Sequence, residues 1–163
     1  MSASEKINAI KRKYQVRIKI ALREAAKELA QVILLMVEIR TQIQGKGTNG
    51  DLDELDDAYV KQRRKNKSRL SKATSPEKSN LTATGQMIKA LQGKSEGSKA
   101  IVSVKPSNRR KELNKSESKY NNDQIRKFVE DNGREFLKLS ESEKDKVIES
   151  AKRILSRLLS DLS

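Results

Sequence analysis

The chain has no cysteine and no histidine among its 163 residues. That removes thiol nucleophiles, disulfides and nearly every transition-metal site, together with the side chain that most often moves protons near neutral pH. Aromatic residues make up only 3% and tryptophan is absent, so a large core or a stacking platform for bases is excluded. Proline occurs twice, at Pro76 and Pro106, which leaves long stretches free to be helical. The longest largely apolar run, LAQVILLMV from Leu29 to Val37, is far shorter than a membrane span, and the N-terminus shows no apolar signal segment. The expectation from these absences is a non-enzymatic protein with no cofactor, no metal and no membrane, assembled in the cytoplasm.

What is abundant is positive charge: 36 Lys and Arg stand against 22 Asp and Glu, a formal net charge of +14. Such an imbalance bears on partners and not on fold, and favours nucleic acid, acidic protein surfaces or anionic lipid. Hydrophobic residues are 34%, enough for a modest core that neighbouring subunits help to cover.

From Glu5 to about Gln44 the apolar residues Ile7, Ile10, Tyr14, Ile18, Leu22, Ala25, Leu29, Ile33, Met36, Ile39 and Ile43 recur at gaps of three and four. That spacing predicts one long amphipathic helix, capped by Ser4 and ended by Gly45 and Gly47. At 1.5 Å per residue it would reach roughly 60 Å. A domain of this size cannot cover such a length, so its outer end packs on a neighbour or the helix breaks. Val16–Ile20 alternates and also reads as a strand. GKGTNG (45–50) is expected to be a flexible turn.

A sign change follows. Asp51, Asp53, Glu54, Asp56 and Asp57 precede Lys61, Arg63, Arg64, Lys65, Lys67, Arg69 and Lys72, with no acid within the basic stretch. Acid first and base last suits the dipole of a short helix from Asp51 to about Arg64. The polar SKATSPEKSN segment after it is expected to be a mobile loop. A helix over Leu81–Leu91, capped by Thr82 or Thr84, puts Leu81, Met87, Ile88 and Leu91 on one face. Gly93–Gly97 then breaks the chain, and KAIVSV alternates as the clearest strand, stopped by Pro106. A second, exposed strand is expected over 109–120. Asn122–Asn132 reads as a helix with Ile125, Phe128 and Val129 inward and Gly133 at its end. REFLKL (134–139) reads as an extended link or strand. Ser140 and Glu143 form a capping box for a last helix whose stripe is Val147, Ala151, Ile154, Leu155, Leu158 and Leu162. The fold class is therefore α+β: a small antiparallel sheet packed by helices, with a long N-terminal helix and a C-terminal amphipathic helix. The expected division is 1–44 (the long helix), 45–80 (short helix and basic loop) and 81–163 (the α+β core).

Catalytic and binding motifs fail one by one. A serine nucleophile would need a lysine base in an apolar pocket, and nothing in the pattern supplies one. DLDELDD lacks the alternating oxygen ligands and central glycine of a calcium loop, and GKGTNG lacks the GK[ST] ending of a phosphate loop. KQRRKNKSRLSK (61–72) suits sequence-blind electrostatic contact with nucleic acid, whose affinity falls steeply with salt. The first helix, with Lys11, Arg12, Lys13, Arg17, Lys19 and Arg23 beside its apolar residues, also fits a membrane surface. It lacks aromatic anchors other than Tyr14, so packing on a partner helix is the better reading.

The succession LTATGQMIKAL, then KAIVSV, then a helix leading to NGREFLKLSESEKDKVIESAKRILSRLL resembles the tail-completion and head–tail joining (virion morphogenesis) proteins of tailed bacteriophages. The resemblance covers roughly Leu52–Leu162 and rests on Leu81, Thr84, Gly85, Met87, Gly133, Arg134, Phe136 and Leu137 in that order. Met87 stands where the family usually has leucine, and the stretch before Gly133 lacks a histidine often found there. The resemblance implies a structural protein in the virion neck or tail, forming a homo-oligomeric ring (a hexamer, or else a dodecamer). Its partners would be neighbouring neck and tail proteins such as a connector or stopper, a tail terminator or a tail tube, with passing contact to genomic DNA. On that reading Lys61, Arg63, Arg64, Lys65, Lys67 and Arg69 are docking charges for an acidic neighbour.

Overall fold

The computed structural model describes residues 2–72, 74–79, 81, 85–107 and 120–160. Among these the architecture is α+β: a long N-terminal helix, two separate two-stranded antiparallel hairpins and a C-terminal helix.

Helix α1 runs without a break over Ala3–Glu38, and its last turn widens into a π-helical segment, Ile39–Gln44. Its cap is Ser2 and not Ser4. Ser2 Oγ accepts from Glu5 N at 3.2 Å while the Glu5 carboxylate accepts from Ser2 N at 2.6 Å. Ser2 has a glutamate three residues on, whereas Ser4 has Ile7 there, so only Ser2 completes a capping box. The strand alternative for Val16–Ile20 is overruled by this continuous helix. Gly45 ends it in the left-handed region, φ 68°.

The apolar stripe expected on α1 is covered only in its middle, from Ala25 to Met36, and is exposed again at Ile39 and Ile43. Ala21, Ala25, Ala26, Ala30 and Val37 are buried, with Ile33 packed against the core. The buried positions are mostly alanines because other elements approach closely there. Strand β3 (Leu91–Glu96) crosses α1 so tightly that a Cβ on Gly93 would lie 2.8 Å from the Ala30 carbonyl oxygen. Gly93 therefore sits inside a strand and does not break the chain. Strand β4 (Lys99–Val104) pairs antiparallel with β3, with Gly93 opposite Val102, and the turn between them holds Gly97 at φ 60°.

The GKGTNG turn is a second hairpin, β1 (Lys46–Gly47) with β2 (Gly50–Asp51). Helix α2 accordingly starts later than expected, at Asp57, and runs to Lys65. Asp56 caps it by accepting from Ala58 N at 2.8 Å and Tyr59 N at 3.2 Å. Extending the helix back to Asp51 would stack Asp53 on Asp56 and Asp57, a repulsive spacing. The expected helix over Leu81–Leu91 shortens to a single turn, α3 (Gln86–Lys89), because Gly85 is left-handed (φ 76°) and Leu91 pairs with Val104. Thr82, Thr84 and Leu162 lie outside the described residues, as does the strand expected over 109–120 apart from Tyr120.

Helix α4 spans Asn122–Asp131, capped by Asn121 through a reciprocal pair with Gln124, both bonds at 2.9 Å. Ile125 and Val129 face the core, but Phe128 is 65% exposed. At 100° per residue Phe128 falls well off the face shared by Asn122, Ile125 and Val129. The REFLKL link forms no strand; Phe136 within it is fully buried at the core centre with Val37, Met87, Ala90 and Val104. Helix α5 (Glu141–Ser160) packs along α1, and its stripe from Val147 to Leu158 is half-buried there.

Candidate interaction surfaces

Among the described residues there is no group of three or more acidic residues arranged to hold a metal ion, and no helix is long and apolar enough to cross a membrane. The features that stand apart from the packed body are three surfaces of strong character.

The first is the outer half of α1. From Ser2 to Ile20 nearly every side chain described is exposed, over a length of roughly 28 Å. Ile7, Ile10, Tyr14, Val16, Ile18 and Ile20 are each between 45% and 59% exposed. Ile7, Ile10, Tyr14 and Ile18 form one stripe at gaps of three and four, and Lys6, Lys11, Lys13 and Arg17 surround it. Apolar residues scattered singly on a surface are ordinary; a repeated stripe on one projecting helix is a contact face.

The second surface is basic. Lys61, Arg64, Lys65, Lys67 and Arg69 are exposed on α2 and on the short helical turn Lys67–Arg69 that follows it. Arg64 Nε donates to Glu77 at 2.9 Å, and that guanidinium holds the Glu77 carboxyl below its ordinary range. Arg63 is different in kind. It is 1% exposed and donates to Lys78 O at 3.2 Å, Thr74 Oγ1 at 2.9 Å and Ser75 O at 2.9 Å. Its guanidinium also lies 5.7 Å from the centre of the Tyr59 ring. Arg63 therefore clamps the Thr74–Lys78 loop to α2 and is no surface charge, although the sequence grouped it with its neighbours. Nothing in the run of basic residues marks one of them as inward.

The third surface is acidic. Asp51, Asp53, Glu54, Asp56 and Asp57 are all exposed; no base stands among them in sequence, and Lys46 Nζ lies 3.9 Å from the Asp51 carboxylate. Their backbone is fixed from behind. Arg134 Nη2 donates to the carbonyls of Asp53 at 3.0 Å and Glu54 at 3.2 Å, and Ser79 Oγ donates to the Asp53 carbonyl as well. Carbonyls held inward leave the carboxylates turned to solvent.

The residues carrying the family resemblance are mostly structural. Met87 is buried, Leu81 and Leu137 pack on the core, Phe136 fills it, and Gly85 and Gly133 (φ 79°) occupy left-handed turns. Thr84 is not described. Arg134 joins the acidic surface to the end of α4.

Arg40, which the sequence reading passed over, ties the two ends of the fold together. It is 5% exposed, pairs with Glu143 at the start of α5, and donates to the carbonyls of Phe136 and, at 2.9 Å, Lys138. Burial pushes its guanidinium below its ordinary pKa while the Glu143 carboxylate opposes that shift. Glu143 also accepts from Ser140 N at 2.9 Å, which completes the glutamate half of the expected capping box.

Compared with protein-family models, curated proteins and solved structures, the chain matches none of them.

Proposed function

We propose that this chain is a structural assembly subunit, a neck component of a tailed bacteriophage that completes the tail or joins head to tail as part of a ring. The observation that carries the reading is the outer half of α1, a projecting helix whose apolar stripe is left exposed by the described residues of its own chain. A subunit that buries such a stripe only on a neighbour is built to assemble. The order of elements from Leu81 to Leu158, with its likeness to head–tail joining proteins, supplies the setting. A ring of such subunits would sit in the virion and contact neighbouring neck or tail proteins.

A second reading has its own observation. Lys61, Arg64, Lys65, Lys67 and Arg69 form an exposed basic face with no acid within that stretch, which suits sequence-nonspecific binding to nucleic acid. One pair of measurements separates the two. Light scattering coupled to size exclusion reads the mass in solution, and a salt titration reads affinity for random duplex DNA. Discrete rings with weak DNA affinity support the assembly reading. A monomer that binds DNA tightly at low salt and releases it steeply as salt rises overturns it.

A further inference from the structure

The two surfaces of opposite sign sit at opposite ends of α1. The arm, Ser2–Ile20, opens the helix; the acidic run, Asp51–Asp57, follows directly after its far end at Gly45. At 1.5 Å per residue the tip of the arm lies about 53 Å, and its inner end at Ile20 about 27 Å, from the end of α1 at Glu38. Within one molecule the arm is therefore out of reach of the acidic run.

The arm carries Lys6, Lys11, Arg12, Lys13, Arg17 and Lys19 against the single acid Glu5. Two arms laid against each other would bring like charges together, which disfavours a symmetric pairing through this helix. Among the described residues the acidic run is the complementary surface. On α4 and α5 the exposed acids alternate with lysines and arginines, whereas Asp51–Asp57 holds five acids and no base.

The acidic run also has an apolar companion. Leu35, Ile39 and Ile43 are exposed at 56%, 38% and 69% and share one side of the end of α1 at gaps of four. The backbones of both segments are tied to the same stretch of loop, since Lys78 Nζ donates to the Ile43 carbonyl at 3.4 Å and Ser79 Oγ donates to the Asp53 carbonyl. An exposed aliphatic stripe and a row of carboxylates thus both lie toward one end of the molecule. An aliphatic stripe flanked by lysines lies at the other.

We infer that the arm of one subunit docks on the Leu35–Ile39–Ile43 stripe and the Asp51–Asp57 run of a second copy of the same chain. This contact rests on the assembly reading and deepens it by naming both faces. It is heterologous, head to tail, so repeating it generates either a closed ring or a filament. The apolar stripes supply most of the affinity, and the charges set direction and register and speed the encounter.

The test uses the full-length chain in a charge-reversal cycle read by sedimentation velocity. One variant reverses the arm (Lys6→Glu, Lys11→Glu, Lys13→Glu). A second reverses the acidic run (Asp53→Lys, Glu54→Lys, Asp57→Lys), sparing the helix cap Asp56. Each alone is expected to weaken association at least about tenfold, as several facing charge pairs turn repulsive. The combined variant, complementary again with the signs exchanged, is expected to regain assembly, as is a mixture of the two single-surface variants. An assembled wild type that the acidic reversal leaves unchanged overturns the docking site while the assembly reading stands. A combined variant that stays monomeric overturns it equally. A wild type that is monomeric at every concentration removes the assembly reading and the docking contact together.

Discussion

Arg40 and Glu143 are 103 positions apart in sequence and meet as a largely buried ion pair where the end of α1 touches the start of α5. The same arginine takes the carbonyls of Phe136 and Lys138, so one side chain holds the long helix, the Phe136 link and the final helix in register. Removing one partner of a buried pair strands the other charge. Arg40→Ala is expected to lower the unfolding free energy by about 3–5 kcal/mol, measured by urea denaturation. Arg64→Ala, which breaks only an exposed pair with Glu77, is expected to cost less than about 1 kcal/mol in the same assay. Equal losses for the two variants would refute this account of Arg40.

A second expectation concerns the crossing of β3 over α1. Gly93→Ala places a methyl group 2.8 Å from a backbone carbonyl that cannot rotate away, so the helix and hairpin must separate. The cost expected for such overpacking is about 1–3 kcal/mol, with faster amide exchange in β3 and β4. Gly97→Ala is the contrast. Its Cβ meets nothing within 4 Å, and only the left-handed φ of 60° opposes it, at about 1–2 kcal/mol. Loss of β-hairpin protection in both variants alike would show that the approach to Ala30 is not what demands a glycine at position 93.

These two sites also show what the sequence conveys. Elements defined by local chemistry were legible: the glutamate half of the α5 capping box, the strand over Lys99–Val104, the glycine after α4, and the helical spacing of α1. What was not legible depends on partners far along the chain. Gly93 looks like a breaker until Ala30, 63 positions earlier, is seen against it. Arg40 and Arg63 look like members of a solvated basic population, and only tertiary contacts identify them as buried clamps. The stripe on α1 is legible, yet its middle is covered and its two ends are not, because spacing records which residues share a face and not whether anything covers it. Phe128 is the same lesson at short range: a helical face one residue too wide was read as inward.

Arg63 makes a third expectation. Its guanidinium reaches Thr74, Ser75 and Lys78, so Arg63→Gln frees the loop from α2 while the exposed basic residues beside it stay in place. Limited proteolysis with trypsin is expected to cut near Lys72 and Lys78 at least about tenfold faster in this variant, because opening there no longer breaks charged hydrogen bonds worth roughly 1.5–3 kcal/mol each. Lys65→Gln and Lys67→Gln are expected to leave that rate unchanged. A clamp and a docking charge are thereby told apart by a readout that binding does not touch.

The Asp123 carboxyl is held below its ordinary pKa by a hydrogen bond from Arg126, with Lys127 also adjacent. A carboxyl whose folded pKa is depressed contributes stability above its unfolded pKa, near 4, and that contribution disappears as pH falls through the lower folded value. Asp123→Asn is therefore expected to lower stability at pH 7 by roughly 0.5 kcal/mol and to converge with the wild type once the pH falls below the depressed folded value. A constant difference between the two across the acid limb of a pH–stability curve would remove Asp123 from the list of groups that titrate with unfolding.

The outer half of α1 yields the expectation that separates folding from assembly. Ile10 and Ile18 touch little of their own chain, being 55% and 45% exposed, and isoleucine and serine have similar helix propensities. In dilute solution, where subunits are separate, Ile10→Ser with Ile18→Ser is expected to change unfolding free energy by less than about 0.5 kcal/mol. Phe136→Ala, which empties the centre of the core, is expected to lose about 3–5 kcal/mol at any concentration. Association stabilises the folded chain by mass action, so the melting temperature of the wild type should rise with protein concentration. The double isoleucine variant should lose that rise while keeping the dilute melting temperature. A variant that melts lower even when dilute would mean that the arm packs on its own body, and the apolar stripe would then need no neighbour.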